Sequence, residues 1–280
     1  MVNGYSPSTF KEALKILNEK DVIIYAGGTD LMVRYKNISS LLPKFDKDLL
    51  YIENLKELKE INESSSEIRI GAACKLSYLL QSDCIPQILK QAIKNIASPA
   101  IRNMGTIGGN ICNASPAGDT LPVLYALDAK VKITSINNSK ETEIKEFILG
   151  PKKTILENNE ILESIIIPKA DFNKIYYQKV GARKASAISK VSFVALAEIE
   201  KEEIKDLRIA IGSVGPSVVR VKEGEDALIE KNIKDINNLI NHVQDIYSKK
   251  ITPIDDQRST ANYRKNVALR LIKYFLTVEL

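Results

Sequence analysis

The chain has 280 residues, 44% hydrophobic and 27% charged, a balance that suits a globular protein with an adequate core. Forty Lys and Arg residues face 35 Asp and Glu, and this net +5 is dispersed without a basic block or basic–aromatic interleaving, which excludes nucleic-acid binding as the function class. Three cysteines without a C-x-x-C and one histidine, His242, are too few for an iron–sulfur cluster or closed zinc site, and the absence of a signal core or of an apolar run of roughly eighteen residues predicts a cytoplasmic chain with no membrane association.

In chain order, Ser6 or Ser8 is placed to cap a helix running to about residue 20, with Phe10, Ala13, Leu14 and Leu17 on one face. The apolar run 22–26 reads as a buried strand that enters a tight turn at Gly27-Gly28. Thr29-Asp30 is expected to cap a short helix over 31–36. Strands follow at 49–52 and 67–74, then helices at 75–81 and 85–96, the second stopped by Pro99. A glycine turn occupies 105–110 and a loop 115–119. A helix over 120–127 carries Pro122 in its first turn, where proline is tolerated. Strands are expected at 131–135, 142–147 and 161–167.

The pattern breaks at 168–173, which places a domain boundary between residues 1–168 and 172–280. Strand-like runs at 175–181, 188–199 and 204–213 come next, then helices near 221–230, 233–248 and 261–277. Strands followed by helices imply an α+β unit rather than alternating βαβ.

Chemistry is concentrated in two glycine-rich turns. The first is Ala26-Gly27-Gly28-Thr29-Asp30-Leu31, and the second runs from Ile101 through Gly105-Thr106-Ile107-Gly108-Gly109-Asn110. Glycine lets a ligand reach the main chain, and successive N–H groups in such turns form nests for phosphate oxygens. Neither turn has the G-x-G-x-x-G spacing of a Rossmann fingerprint, and no P-loop motif is present. Either turn alone is most simply a tight connection with no ligand.

The second segment carries more. Residues 97–111 match, nearly position for position, the pattern A-S-P-x-I-R-N-x-G-T-I-G-G-N-I. With Ala26–Leu31 this chain resembles the FAD-binding subunit of the molybdenum hydroxylases, the family of bacterial xanthine, carbon monoxide and nicotinate dehydrogenases and hydroxybenzoyl-CoA reductases. Tyr5-Ser6-Pro7, Asp119 with Leu121-Pro122, Lys179-Val180-Gly181-Ala182-Arg183 and the stretch from Asp256 to Arg264 extend the resemblance over almost the whole chain.

The resemblance implies a two-lobed FAD-binding domain of the p-cresol methylhydroxylase/vanillyl-alcohol oxidase type and a C-terminal α+β domain with a short antiparallel sheet and helices. It implies that Ala26, Gly27, Gly28, Thr29, Asp30 and Leu31 wrap the FAD diphosphate through backbone N–H groups, with the Thr29 hydroxyl as a further donor. Thr106, Ile107, Gly108, Gly109 and Asn110 are expected to line its other side. Asp119 is expected to bond a cofactor hydroxyl, or to cap the helix that follows, and Lys179 to stand near the flavin; Arg183 is a weaker candidate. Cys112 reads as a buried small hydrophobe. Without a nearby His or Cys, FAD is expected to be non-covalent.

Also implied are a molybdopterin-binding large subunit and a [2Fe–2S] small subunit. Electrons would pass from the clusters through FAD to NAD or another acceptor. A xanthine-type substrate is the first expectation, with nicotinate, carbon monoxide or aromatic acyl-CoA enzymes as alternatives. A stand-alone flavin oxidase and a cofactor-free scaffold complete the set. No acid–base dyad or nucleophile is evident, which suits a chain whose cofactor carries the chemistry.

Overall fold

The computed structural model describes residues 2–38 and 41–280. These fall into two compact units, neither of which is a continuous stretch of chain. The first holds the residues up to Ile85 with Ser98–Ala114 and Ala129–Pro168; the second holds Pro86–Ala97, Ser115–Asp128 and Lys169–Leu280. A single cut near residue 170 therefore does not separate them.

In the first unit, the helix Phe10–Glu19 buries Ala13, Leu14 and Leu17. Its cap is Thr9, whose hydroxyl accepts from the Glu12 N–H at 3.2 Å, and not Ser6 or Ser8. Ser8 instead donates its N–H to the Glu12 carboxylate at 2.7 Å, which fixes the entry to the helix. The apolar face packs on a three-stranded parallel sheet, ordered Gly4–Tyr5, Asp48–Tyr51, Val22–Tyr25. A second, antiparallel sheet is ordered Ile61–Glu63, Glu67–Gly71, Ile161–Pro168, Lys130–Thr134, Ser139–Glu143. Its central strand, Ile161–Pro168, is buried along most of its length. Ser139–Glu143 is the exposed edge, and residues 144–147, expected as strand, turn into a short helix there.

Two further expectations change in this unit. Pro99 does not stop a helix; it starts one, Pro99–Met104, with Ser98 as the cap, its hydroxyl accepting from the Ile101 N–H at 3.4 Å. Proline at a first helical position loses no hydrogen bond, because that N–H has no helical acceptor. The glycine turn 105–110 is likewise mostly helix, Ile107–Cys112, capped by Thr106.

The second unit is built on a four-stranded antiparallel sheet ordered Lys174–Val180, Val191–Glu200, Glu203–Gly212, Val219–Arg220. One face, with Phe193, Ala195, Leu207, Ile209 and Ile211, packs on the helices Ile240–Lys250 and Ala261–Tyr274 through Val243, Tyr247, Ala268 and Ile272. The helices Gln87–Lys94 and Thr120–Ala126 also belong to this unit. The C-terminal helices are shorter than their periodicity predicts: Lys222–Asp226 replaces 221–230, and Ile240–Lys250 replaces 233–248. Among the described residues, no helix is long and apolar enough to cross a membrane.

Candidate functional site

The first turn follows the strand Val22–Tyr25 without a break. Gly27 is buried, and a methyl group there would collide with the Met104 carbonyl oxygen and come within 2.9 Å of the Gly105 Cα. The two glycine segments, distant in sequence, thus meet main chain to main chain at Gly27. Gly28 has φ +68°, the left-handed region that only glycine enters without cost. The short helix that follows is Leu31–Arg34, and it has no side-chain cap: Asp30 is itself nearly helical and its carboxylate makes no capping bond. The expected Thr29-Asp30 cap does not form, because Asp30 is already helical where a capping residue is extended.

Among the described residues, the backbone N–H groups of Gly27, Gly28, Thr29, Asp30 and Leu31 donate to no protein acceptor, and neither does the Thr29 hydroxyl. Of these five donors Gly27 is buried, where an N–H is nearly always paired, and the others are partly or fully open to an incoming ligand. Their sum is a partial positive charge fit for a diphosphate. The residues present therefore fit the cofactor that the resemblance implies.

The second turn differs. Ile107 donates its N–H to the Cys74 carbonyl at 3.0 Å and Gly108 to the Ala72 carbonyl at 2.9 Å. Gly109 donates to the Thr106 hydroxyl at 3.1 Å, and Asn110 to the Thr106 carbonyl at 3.0 Å. Thr106, Ile107 and Gly108 are buried, and a methyl on Gly108 would lie 2.6 Å from the Ala72 Cβ. Gly108 serves close packing of a helix against the chain at Ala72. Of residues 105–110, Gly109 and Asn110 face outward or partly so. Farther along the same helix, burial of its sulfur pushes the Cys112 thiol up to about 12, though the residue as a whole is half-buried rather than buried as expected.

Asp119 and Lys179 lie in the second unit and bond each other. Lys179 Nζ is 2.6 Å from Asp119 Oδ2 and 2.8 Å from the Asn95 carbonyl oxygen, with the lysine side chain 9% exposed. The Ser189 hydroxyl donates to Asp119 Oδ1 at 2.5 Å. Burial raises the Asp119 pKa, against the opposing pull of Lys179 and Ser189. Asp119 sits at the N-cap position of Thr120–Ala126 but makes no capping bond, since both oxygens are engaged in this cluster. Lys179 is thus neither a solvated strand lysine nor a lone cation. Removing one partner of such a buried pair leaves an uncompensated charge, at a cost of about 3–5 kcal/mol. Arg183 is occupied locally, donating to the carbonyls of Ala185 and Ser186.

Sequence reasoning missed Tyr177, whose hydroxyl is buried without a hydrogen-bond partner and whose pKa is raised by burial and by Asp119. It missed Lys152 as well, which reaches the side chain of Asp30 in the first turn. The alternation of the strand Lys174–Val180, which puts Tyr177 on the face of Lys179, was a usable signal for the first. No local pattern marks the second.

Residues 1–170 match the family described as the FAD binding domain in molybdopterin dehydrogenase, and residues 176–278 match the CO dehydrogenase flavoprotein C-terminal domain. The chain is similar to the glyceraldehyde dehydrogenase medium chain of Sulfolobus acidocaldarius, 30% identical over 262 residues that cover 92% of this chain and 91% of the relative. It is also 30% identical over 227 residues to the xanthine dehydrogenase FAD-binding subunit of Escherichia coli O157:H7, covering 78% of this chain and 76% of that one. Among solved structures, it superposes on a chain of the carbon monoxide dehydrogenase from Hydrogenophaga pseudoflava that lacks the Mo-pyranopterin moiety. The TM-score is 0.89 at 26% identity, over 99% of this chain and 96% of the other.

Proposed function

This chain belongs to the family of FAD-binding domains in molybdopterin dehydrogenases, and from that premise we propose that it works as the electron-transferring flavin subunit of a molybdenum hydroxylase. The observation that carries the reading is the run of five unpaired N–H groups from Gly27 to Leu31. A diphosphate placed there would meet main-chain donors already aimed, with the Thr29 hydroxyl beside them. Ala26 leads the strand into this turn.

Thr106, Ile107 and Gly108 act on the cofactor indirectly, by bracing the segment against which Gly27 packs. Gly109 and Asn110 are the members of that segment placed to touch a ligand. Bound FAD supplies the exchange between hydride-type and single-electron transfer; this chain supplies binding and electrostatics. Asp119 and Lys179 serve as a neutral pair. An ammonium has three N–H donors, and the bonds to Asp119 and Asn95 use two, which leaves one for the flavin. The pairing argues for orientation by Lys179 rather than a net positive field.

In this reading FAD is held without a covalent bond, and the chain works in the cytoplasm beside a molybdopterin-binding large subunit and a [2Fe–2S] small subunit. Electrons leave for NAD or another acceptor. A xanthine-type substrate remains the finer reading, with its recognition assigned to the large partner.

The test is the visible spectrum of the purified chain before and after denaturation. A flavin band that follows the protein through purification and is released into the filtrate on denaturation is the expected result. A colourless chain that stays colourless with added FAD would remove the reading.

A further inference from the structure

Lys152 stands in a conformation that needs a reason. It has φ +61° in the turn between the strands Ile148–Gly150 and Lys153–Thr154, a region costly for a residue with a Cβ. Its N–H donates to the Ala114 carbonyl at 2.9 Å, just past the helix Ile107–Cys112. Its ammonium bonds the Asn113 side-chain oxygen and lies 3.5 Å from Asp30 Oδ2. The pair with Asp30 is open to solvent, at 46% and 55% exposure, and exposed pairs of this kind add little to stability. Folding alone therefore gives weak grounds for holding a lysine in this strained place.

The neighbours give stronger grounds. Asp30 belongs to the run of unpaired N–H donors, so the turn that fits an anion also carries a carboxylate that repels one. Lys152 cancels that charge. It is tethered at Asn113 and contacts Asp30 loosely, so a short swing exchanges the carboxylate for a phosphate oxygen. A lysine suits this, as a point charge on a flexible stem.

We propose that Lys152 is a cationic member of the diphosphate site, held in waiting by Asp30 and Asn113 and transferred to the ligand when the dinucleotide binds. The proposal rests on the reading of the Gly27–Leu31 turn as the FAD diphosphate site. It assigns opposite effects to two neighbouring charges: Lys152 strengthens binding and Asp30 weakens it.

The experiment is equilibrium titration of the flavin-free full chain with FAD, followed by flavin fluorescence across a salt series. Lys152→Gln should weaken FAD binding about tenfold at low salt and flatten the salt dependence, since a charge contact is what salt screens. Lys152→Arg should restore most of the affinity. Asp30→Asn should tighten binding severalfold, and it keeps the proposal exposed even if Lys152→Gln folds poorly. Equal affinity of Lys152→Gln and the unaltered chain at every salt concentration would overturn the proposal, as would weaker binding by Asp30→Asn. In either case retained FAD binding leaves the flavin reading standing. Failure of the unaltered chain to bind FAD would overturn both together.

Discussion

The two glycine turns look alike as sequence and do opposite things with their backbone. The Gly27–Leu31 turn keeps its N–H groups free of protein partners, whereas residues 107–110 direct every one of theirs to protein oxygen. The glycines differ accordingly. Gly28 is needed for a left-handed turn, and Gly108 for close packing against Ala72. A glycine-rich motif therefore does not by itself say where a ligand is touched. The hydrogen bonds separate the two: the first turn leaves its donors without protein partners, and the second spends its own on the fold.

That division can be broken by substitution. Gly108→Ala should have the largest effect on the fold, about 1–3 kcal/mol of lost stability, since its methyl meets the Ala72 Cβ and carbonyl oxygen at 2.6 and 2.7 Å. Chemical denaturation of the flavin-free chain measures this, and an undisturbed midpoint would contradict the supporting role. Thr106→Val should cost about 1 kcal/mol, because the hydroxyl that accepts from the Gly109 N–H is lost while the volume is kept. Its FAD affinity, once folded, should stay close to that of the parent. Thr29→Val is the reverse case. Stability should move by less than about 0.5 kcal/mol, and FAD affinity should fall about three- to tenfold, the worth of one ordinary hydrogen bond. If Thr29→Val instead unfolds the protein and Thr106→Val instead releases flavin, the two turns have their roles exchanged.

Much of the fold was legible from hydrophobic pattern. The run 22–26 became the strand Val22–Tyr25, half-buried throughout rather than buried, and 188–199 became Val191–Glu200, buried along most of its length. At Pro99 the capping chemistry points to a start rather than a stop, since Ser98 followed by proline announces a helix. The helix Ile107–Cys112 was hidden by its own composition: two glycines lower helix propensity, and tertiary bonds to Cys74 and Ala72 override that. The candidate residues of both turns were legible through the resemblance, and their meeting at Gly27 was not. The bond between Asp119 and Lys179 was out of reach for the same reason, since no periodicity links positions sixty residues apart in a helix and a strand. Lys152 lay in a Pro-Lys-Lys loop whose local pattern is that of any exposed connection.

The helix Thr120–Ala126 has a consequence for anyone who would take this protein apart. Its first residue follows Asp119, which is held by Lys179 and Ser189, and its last carbonyls accept from Arg220, at 2.6 Å from Tyr125, and Arg208, at 3.1 Å from Ala126. Every one of those clamps comes from beyond residue 170. A gene truncated there would encode a helix whose apolar sides and buried Asp119 have lost their wrapping, and the complementary fragment would lack the carboxylate that neutralises Lys179. The chain reads as two modules laid end to end, yet a cut near residue 170 would run through the second unit itself and part residues 115–128 from the strands that hold them.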